Sequence, residues 1–213
     1  MTKQKIPATP SIKRLPSYLT LIRQAKEEGM KYISGTAIAN ELHLEPIQVR
    51  KDLAITDIIG KPKCGYPVDE LISSIEHFLG WDKQRNAVIV GAGNLATALT
   101  GYPGFKLHKL NFVAAFDTSK DKIGTSIHSV PVYPLAEFVS KVRELEATIA
   151  VLTVPYEFAQ ECADLFEYAG IKAVWNFTNR KLRLPETIVC QKEDLSSGFA
   201  MLCVMMNDLE NAE

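Results

Sequence analysis

The run Asn86-Ala87-Val88-Ile89-Val90-Gly91-Ala92-Gly93-Asn94-Leu95-Ala96 constrains this chain more than any other stretch. An apolar strand runs directly into Gly-x-Gly-x-x-Ala and then into a helical pattern. The first glycine permits a tight turn, and the second lets a ligand approach the backbone closely. A second apolar run, Phe112-Val113-Ala114-Ala115-Phe116, ends in Asp117, twenty-six residues after Gly91. Strand, glycine turn, helix, strand and terminal carboxylate, in that order, form the fingerprint of a dinucleotide-binding Rossmann unit. A pyrophosphate is expected on the backbone of Gly91, Ala92, Gly93, Asn94 and Leu95, at the N-terminus of a helix. Asp117 is expected to take both ribose hydroxyls and to repel a 2′-phosphate, which favours NAD over NADP.

The rest of the chain is read around that unit. Its 213 residues allow one large domain or two small ones. Net charge is −1, but unevenly divided. Residues 1–63 carry eleven Lys/Arg against six Asp/Glu, and residues 64–213 carry thirteen against nineteen. A basic front on an acidic body suggests an N-terminal segment that meets a polyanion, or else a solvated surface. Cys64, Cys162, Cys190 and Cys203 are dispersed, with no His at ligand spacing, so no metal site is expected. No signal peptide or membrane-length apolar run is visible, and the chain reads as a reduced, cytoplasmic protein.

Residues 1–10 read as a loose polar arm. Ile12, Leu15, Leu19 and Ile22 recur at helical spacing, with Pro16 in the first turn or at a kink and Gly29 as the stop. Ser34 is placed to cap a second helix through Leu42, and Pro46 to open a third over Ile47–Ala54. The segment Gly60–Tyr66 then reads as a basic hairpin tip. Three helices and a basic hairpin outline a winged helix. Leu71, Ile75, Phe78 and Leu79 suggest a linking helix ending at Gly80. From Asn86 onward strands and helices alternate, including a helix from about Tyr156 to Ala169, as in a parallel sheet covered on both faces. The expected fold is α/β. A winged-helix domain occupies 1–80, a doubly wound Rossmann sheet 81–194 and a C-terminal helix 195–213. That last helix, with Phe199, Met201, Leu202, Val204, Met205 and Met206, is apolar all round. It must be buried, either against another subunit or into its own sheet.

Gln48, Arg50 and Lys51 on the third helix suit base or phosphate contacts, although a charged, solvated helix has the same look. Lys61 and Lys63 on the hairpin suit phosphates or a minor groove. In the Rossmann unit, Thr153, Val154, Pro155, Asn176 and Phe177 end strands at the ligand edge and are nicotinamide-wall candidates. None of them is an acid or base. Tyr102 either touches cofactor or packs a helix end. No catalytic constellation is visible.

In this order and spacing the chain resembles the Rex redox-sensing transcriptional repressors. The likeness rests on Arg14-Leu15-Pro16-Ser17-Tyr18-Leu19, Gln48-Val49-Arg50-Lys51-Asp52-Leu53, the glycine turn and Gly101-Tyr102-Pro103-Gly104-Phe105. It continues through Ala114–Asp117, Lys122-Ile123-Gly124, Thr153–Pro155, Ala169–Lys172, Asn176-Phe177 and Asp194-Leu195-Ser196-Ser197. The resemblance implies a homodimer that swaps its C-terminal helix, binds double-stranded operator DNA, and is released by NADH so as to report the NADH/NAD ratio. It implies nicotinamide near Tyr102 and Asp194 of the other subunit, and it adds Arg14 to the DNA-contact candidates. Pro62 stands where the family's wing has Arg. Thr20 stands where many members have the Arg partner of the Asp that matches Asp194, with Arg23 one turn on as the substitute. Two other functions remain open on the residues alone: an NAD-dependent oxidoreductase of a small substrate, and a CoA-binding type of nucleotide module.

Overall fold

Prolines and glycines set the borders of the first unit. A computed structural model describes residues 8–210, so most of the expected N-terminal arm lies outside the described residues. The chain divides into two compact units between Lys83 and Gln84. In the first, helix α1 (Thr9–Glu27) has Pro10 in its first turn and carries Pro16 inside it. Strand β1 (Tyr32–Ile33) leads to Ser34, whose side chain accepts the Ala37 N–H at 3.0 Å and caps α2 (Gly35–Glu41). Helix α3 (Pro46–Ala54) opens on its proline, and strand β2 (Tyr66–Pro67) leads into α4 (Val68–Leu79), closed by Gly80 in the left-handed region. Leu15, Leu19, Ile22, Ile38, Leu53, Leu71 and Ile75 are fully or almost fully buried and form one core between the helices.

The wing is present in miniature. Lys61 and Gly65 exchange backbone hydrogen bonds at 2.7 and 3.0 Å. Strand β1 pairs antiparallel with β2, Tyr32 opposite Pro67 and Ile33 opposite Tyr66. Gly65 has φ +94°, and a Cβ there would collide with the Ile33 carbonyl, so the wing needs glycine at this point. The β1 partner is a finding of the structure, since two residues give no periodicity to read.

A buried ion pair fastens α3 to α1. The Asp52 side chain is fully buried and receives Arg14 Nε at 2.7 Å, Arg14 guanidinium again at 2.9 Å, Tyr18 Oη at 2.7 Å and Gln48 Nε2 at 3.0 Å. Burial alone would raise the Asp52 carboxyl, but the hydrogen bonds from Arg14, Tyr18, Ser11 and Gln48 outweigh it and hold the group well below the usual carboxylate range. Burial, then the adjacent Asp52, pushes the Tyr18 phenol up to about 12.

The second unit is built on β3 (Arg85–Val90), α5 (Asn94–Gly101), α6 (Pro103–Leu107), β4 (Leu110–Asp117), β5 (Ser126–Ile127) and β6 (Val130–Pro134). It continues with α7 (Phe138–Glu144), β7 (Ile149–Leu152), α8 (Ala159–Asp164), α9 (Phe166–Ala169), β8 (Ala173–Asn176), β9 (Val189–Lys192) and α10 (Ser196–Glu210). The sheet order is β5-β6-β4-β3-β7-β8-β9, with every pair parallel except β5–β6. From β6 to β9 this is the order of dinucleotide-binding sheets. Alternation sends Val88 and Val90 to the face shared with Phe138 and Phe166, and Ile89 to the face shared with Ala96.

Two expectations change in detail. The segment from Tyr156 to Ala169 is a single 3₁₀ turn (Tyr156–Phe158) followed by α8 and α9, broken at Leu165, whose N–H turns to the Cys162 carbonyl. Strand β5 forms an unforeseen hairpin with β6, because His128 and Ser129 both take positive φ, as two-residue hairpin turns require.

Arg14→Ala is expected to leave the buried Asp52 carboxylate without its cation and to lower stability by about 3 kcal/mol in urea denaturation. The folded Asp52 pKa lies below the unfolded value of about 3.9. Its contribution is therefore full above that pH and is lost as pH falls below it. The variant should show a weaker acid dependence over that range.

Candidate functional site

At the carboxyl ends of β3, β4 and β7 lies a cavity of about 710 Å³. Gly91 turns the chain out of β3 with φ +97°, and a Cβ there would sit 3.1 Å from the backbone and hydroxyl of Thr153. The Thr153 hydroxyl shares its proton between the carbonyls of Val90 and Gly91, at 3.1 and 2.9 Å, and locks the turn to β7. Gly93 differs: a Cβ there would meet nothing within 4 Å. No side chain caps α5, so its first-turn N–H groups are available to an anion. Gly91 serves the turn, and Gly93 leaves room for a ligand.

Asp117 closes the other side of the cavity. Its Oδ2 accepts the Ala92 N–H at 2.8 Å and Lys122 Nζ at 3.2 Å, and its Oδ1 accepts the Ser119 N–H at 2.8 Å. Burial would raise this carboxyl, but the Ser119 and Ala92 amides and the Lys122 ammonium keep it below its ordinary value. It is an anion fixed by three protein donors. Val154 and Pro155 join Thr153 in the lining. So do Thr118, Lys122, Leu135, Phe158, Glu161 and Cys162, which the sequence reading did not select. Burial pushes the Cys162 thiol up to about 11, so it acts as an apolar wall.

The remaining cofactor candidates lie elsewhere. Tyr102 is exposed, and its ring packs edge-on to Phe105 at 5.0 Å and covers Gly104, where a Cβ would collide with it. Phe105 meets Trp175 at 5.5 Å, and Trp175 meets Phe177 at 4.9 Å, so Phe177 belongs to an aromatic row outside the cavity lining. Asn176 is 1% exposed. Its carbonyl accepts Thr178 N–H and Oγ1, and its amide donates to the Arg180 carbonyl. That side chain builds a turn and is not among the residues lining the cavity. Asp194 accepts the Ser196 N–H at 3.0 Å together with its hydroxyl, and so caps α10. Those two bonds, side chain first, hold the Asp194 carboxyl below its ordinary value.

On the N-terminal unit, Arg50 and Lys51 are exposed on α3 opposite the buried Val49 and Leu53. Lys61 and Lys63 are exposed on the wing, with Lys61 Nζ 3.2 Å from Tyr32 Oη and over its ring. Arg14 and Gln48 both donate to the Asp52 carboxylate, which gives each a role inside the unit. Arg23 is likewise paired with Glu76 of its own unit at 2.6 Å, and the Thr20 hydroxyl donates to the Pro16 carbonyl.

A winged-helix unit with a basic exposed face and a Rossmann unit with a formed cofactor turn, on one chain, define a nucleotide-responsive DNA-binding protein. Residues 5–54 match the family described as "Putative DNA-binding protein N-terminus", and residues 82–180 match the CoA binding domain. The redox-sensing transcriptional repressor Rex of Treponema denticola is 59% identical over 97% of this chain and 99% of its own length. That of Bacteroides thetaiotaomicron is 41% identical over 96% and 91%. The crystal structure of RSP, a Rex-family repressor, superposes with TM-score 0.87 at 29% identity, covering 97% of each chain. RSP in complex with β-NAD⁺ and operator DNA gives 0.88 at 29% identity, over 97% of this chain and 95% of that one. The chain belongs to the Rex family of redox-sensing transcriptional repressors.

Gly91→Ala is expected to cost about 1–3 kcal/mol through its positive φ, visible as a lower melting temperature. Gly93→Ala should melt like the wild type yet lose NADH binding in calorimetry, because its methyl occupies ligand space. A Gly93→Ala protein with unchanged NADH affinity would remove the pyrophosphate from this turn.

Proposed function

We propose that the chain binds operator DNA as a homodimer and releases it when NADH occupies the cavity between Gly91 and Asp117. The observation that carries this reading is the pairing, on one polypeptide, of that cavity with the exposed Arg50–Lys51 face of α3. In this reading residues 1–80 hold DNA, 81–194 hold cofactor and 195–213 hold the second subunit. Arg50, Lys51, Lys61 and Lys63 supply the contacts to DNA. The pyrophosphate lies on Gly91–Leu95, the adenosine ribose on Asp117, and the nicotinamide beyond Thr153–Pro155 toward Tyr102.

Dimerisation is supported by α10. No residue of this helix is buried, and Phe199, Met201, Val204, Met205 and Leu209 are each more than half exposed. An apolar helix of this length needs a partner surface, and a second copy supplies one symmetrically. NAD⁺ carries a cationic nicotinamide and NADH a neutral one. A carboxylate from the partner, Asp194 by family resemblance, distinguishes the two by charge. The ligand shifts the dimer between forms only by its differential affinity for them. The repressor names of the relatives support a sensor without an enzymatic role. No described helix is long and apolar enough to cross a membrane, and a cytoplasmic location fits a repressor.

Gel-shift titration on genomic fragments, at fixed salt and with NAD⁺ or NADH, tests the reading. NADH should weaken binding and NAD⁺ should not, and a side-by-side titration with CoA should show no binding of CoA. Arg50→Ala and Lys51→Ala should each lose about 1–3 kcal/mol of operator affinity while keeping NADH affinity. Truncation after Asp194 should abolish the dimer mass in light scattering. A dimeric truncated chain would displace α10 from the interface.

A further inference from the structure

Among the described residues lining the cofactor cavity, Lys122 is the one cation, set against the carboxylates of Asp117 and Glu161. Its ammonium lies 3.2 Å from Asp117 Oδ2. We propose that Lys122 is a latent 2′-phosphate ligand, so that discrimination between NADH and NADPH in this chain is set by the Asp117–Lys122 pair and not by Asp117 alone. The proposal rests on the reading of the cavity as the dinucleotide site and adds a specificity-determining residue to it.

The argument starts from the occupancy of one carboxylate. Asp117 already accepts three protein donors: the amides of Ala92 and Ser119 and the ammonium of Lys122. A carboxylate offers about four lone-pair sites. A ribose diol brings two hydroxyl donors. Both amides belong to the turns that shape the cavity, so they stay. Lys122 is the donor that can leave, because its side chain is flexible and 43% exposed while that of Asp117 is 12% exposed. Binding of NADH therefore has to break the Lys122–Asp117 contact.

A freed ammonium beside the ribose has one natural partner, an anion at the 2′ position. Lysine binds phosphate as a compact point charge with three donors. For NADPH, the repulsion from Asp117 is thus offset by attraction to Lys122. For NADH, Lys122 is only a competitor for Asp117. Both effects lower the preference for NADH, and removing the lysine reverses both. Removing the carboxylate leaves the cation alone, which turns the site toward NADPH.

The test is calorimetry of NADH and NADPH with the full-length chain, wild type and Lys122→Gln, Asp117→Asn and the double variant, each first checked by thermal melting. Lys122→Gln should raise the ratio of NADH to NADPH affinity by about tenfold, the scale of one charge-assisted hydrogen bond. Asp117→Asn should prefer NADPH, and the double variant should lose that preference. A ratio in Lys122→Gln within twofold of the wild type overturns the proposal, and this arm stands even if Asp117→Asn fails to fold. Absence of NADH binding in the wild type is a separate result, overturning the dinucleotide reading and this proposal with it.

Discussion

The carboxylate of Asp117 is the point on which the second unit turns. It ends β4, yet it receives the amide of Ala92 in the turn after β3. One hydrogen bond thereby fixes the glycine turn against the neighbouring strand. Thr153 fixes the same turn from the other side through the Val90 and Gly91 carbonyls. The loop to which we assign the pyrophosphate is thus held by the protein's own contacts between β4 and β7. Such pre-organisation reduces the ordering cost of binding. The positive φ at this turn is supplied by Gly91 itself, which has no Cβ to strain it.

The first unit rests on a comparable device with the opposite purpose. Asp52 lies on the same helix as Arg50 and Lys51, but points inward to Arg14 and Tyr18. An unpaired carboxylate there would be costly to bury and would repel a nucleic-acid backbone. Arg14 neutralises it and fixes the rotation of α3 about its axis. The exposed cations are then presented in one orientation. Arg14 thus acts as a positioning residue, from behind the helix to which we assign the DNA contacts.

Helix α10 is the part that a single chain leaves unfinished. Asp194 caps it through Ser196, so the helix is locally well formed. Nevertheless, none of its apolar side chains is buried in the described chain. Local structure and tertiary burial therefore come from different molecules under the proposed dimer. Trp175, bonded to Glu193 at 3.1 Å and edge-on to Phe105, which in turn meets Tyr102 edge-on, joins the aromatic row to the segment that leads into α10.

The chain's sequence determined whatever depends on local geometry. The Gly91–Ala96 turn, the Ser34 cap, the Pro46 helix start and the Gly80 stop follow from φ/ψ preferences and hydrogen bonding within a few residues. The carboxylate at Asp117 was legible because a strand's terminal residue has a fixed relation to a turn on its neighbour. Tertiary structure decided the rest. Only the fold brings Arg14 to Asp52 across 38 residues, because charge alone does not say which way a side chain points. Asn176 ends a strand at the ligand edge, yet its amide is used within the turn to Arg180. Lys122 sits in a loop without periodicity, and only the fold of that loop brings its ammonium to Asp117. Short elements such as β1 and the β5–β6 hairpin carry too few residues for a pattern, so their pairing partners decide them.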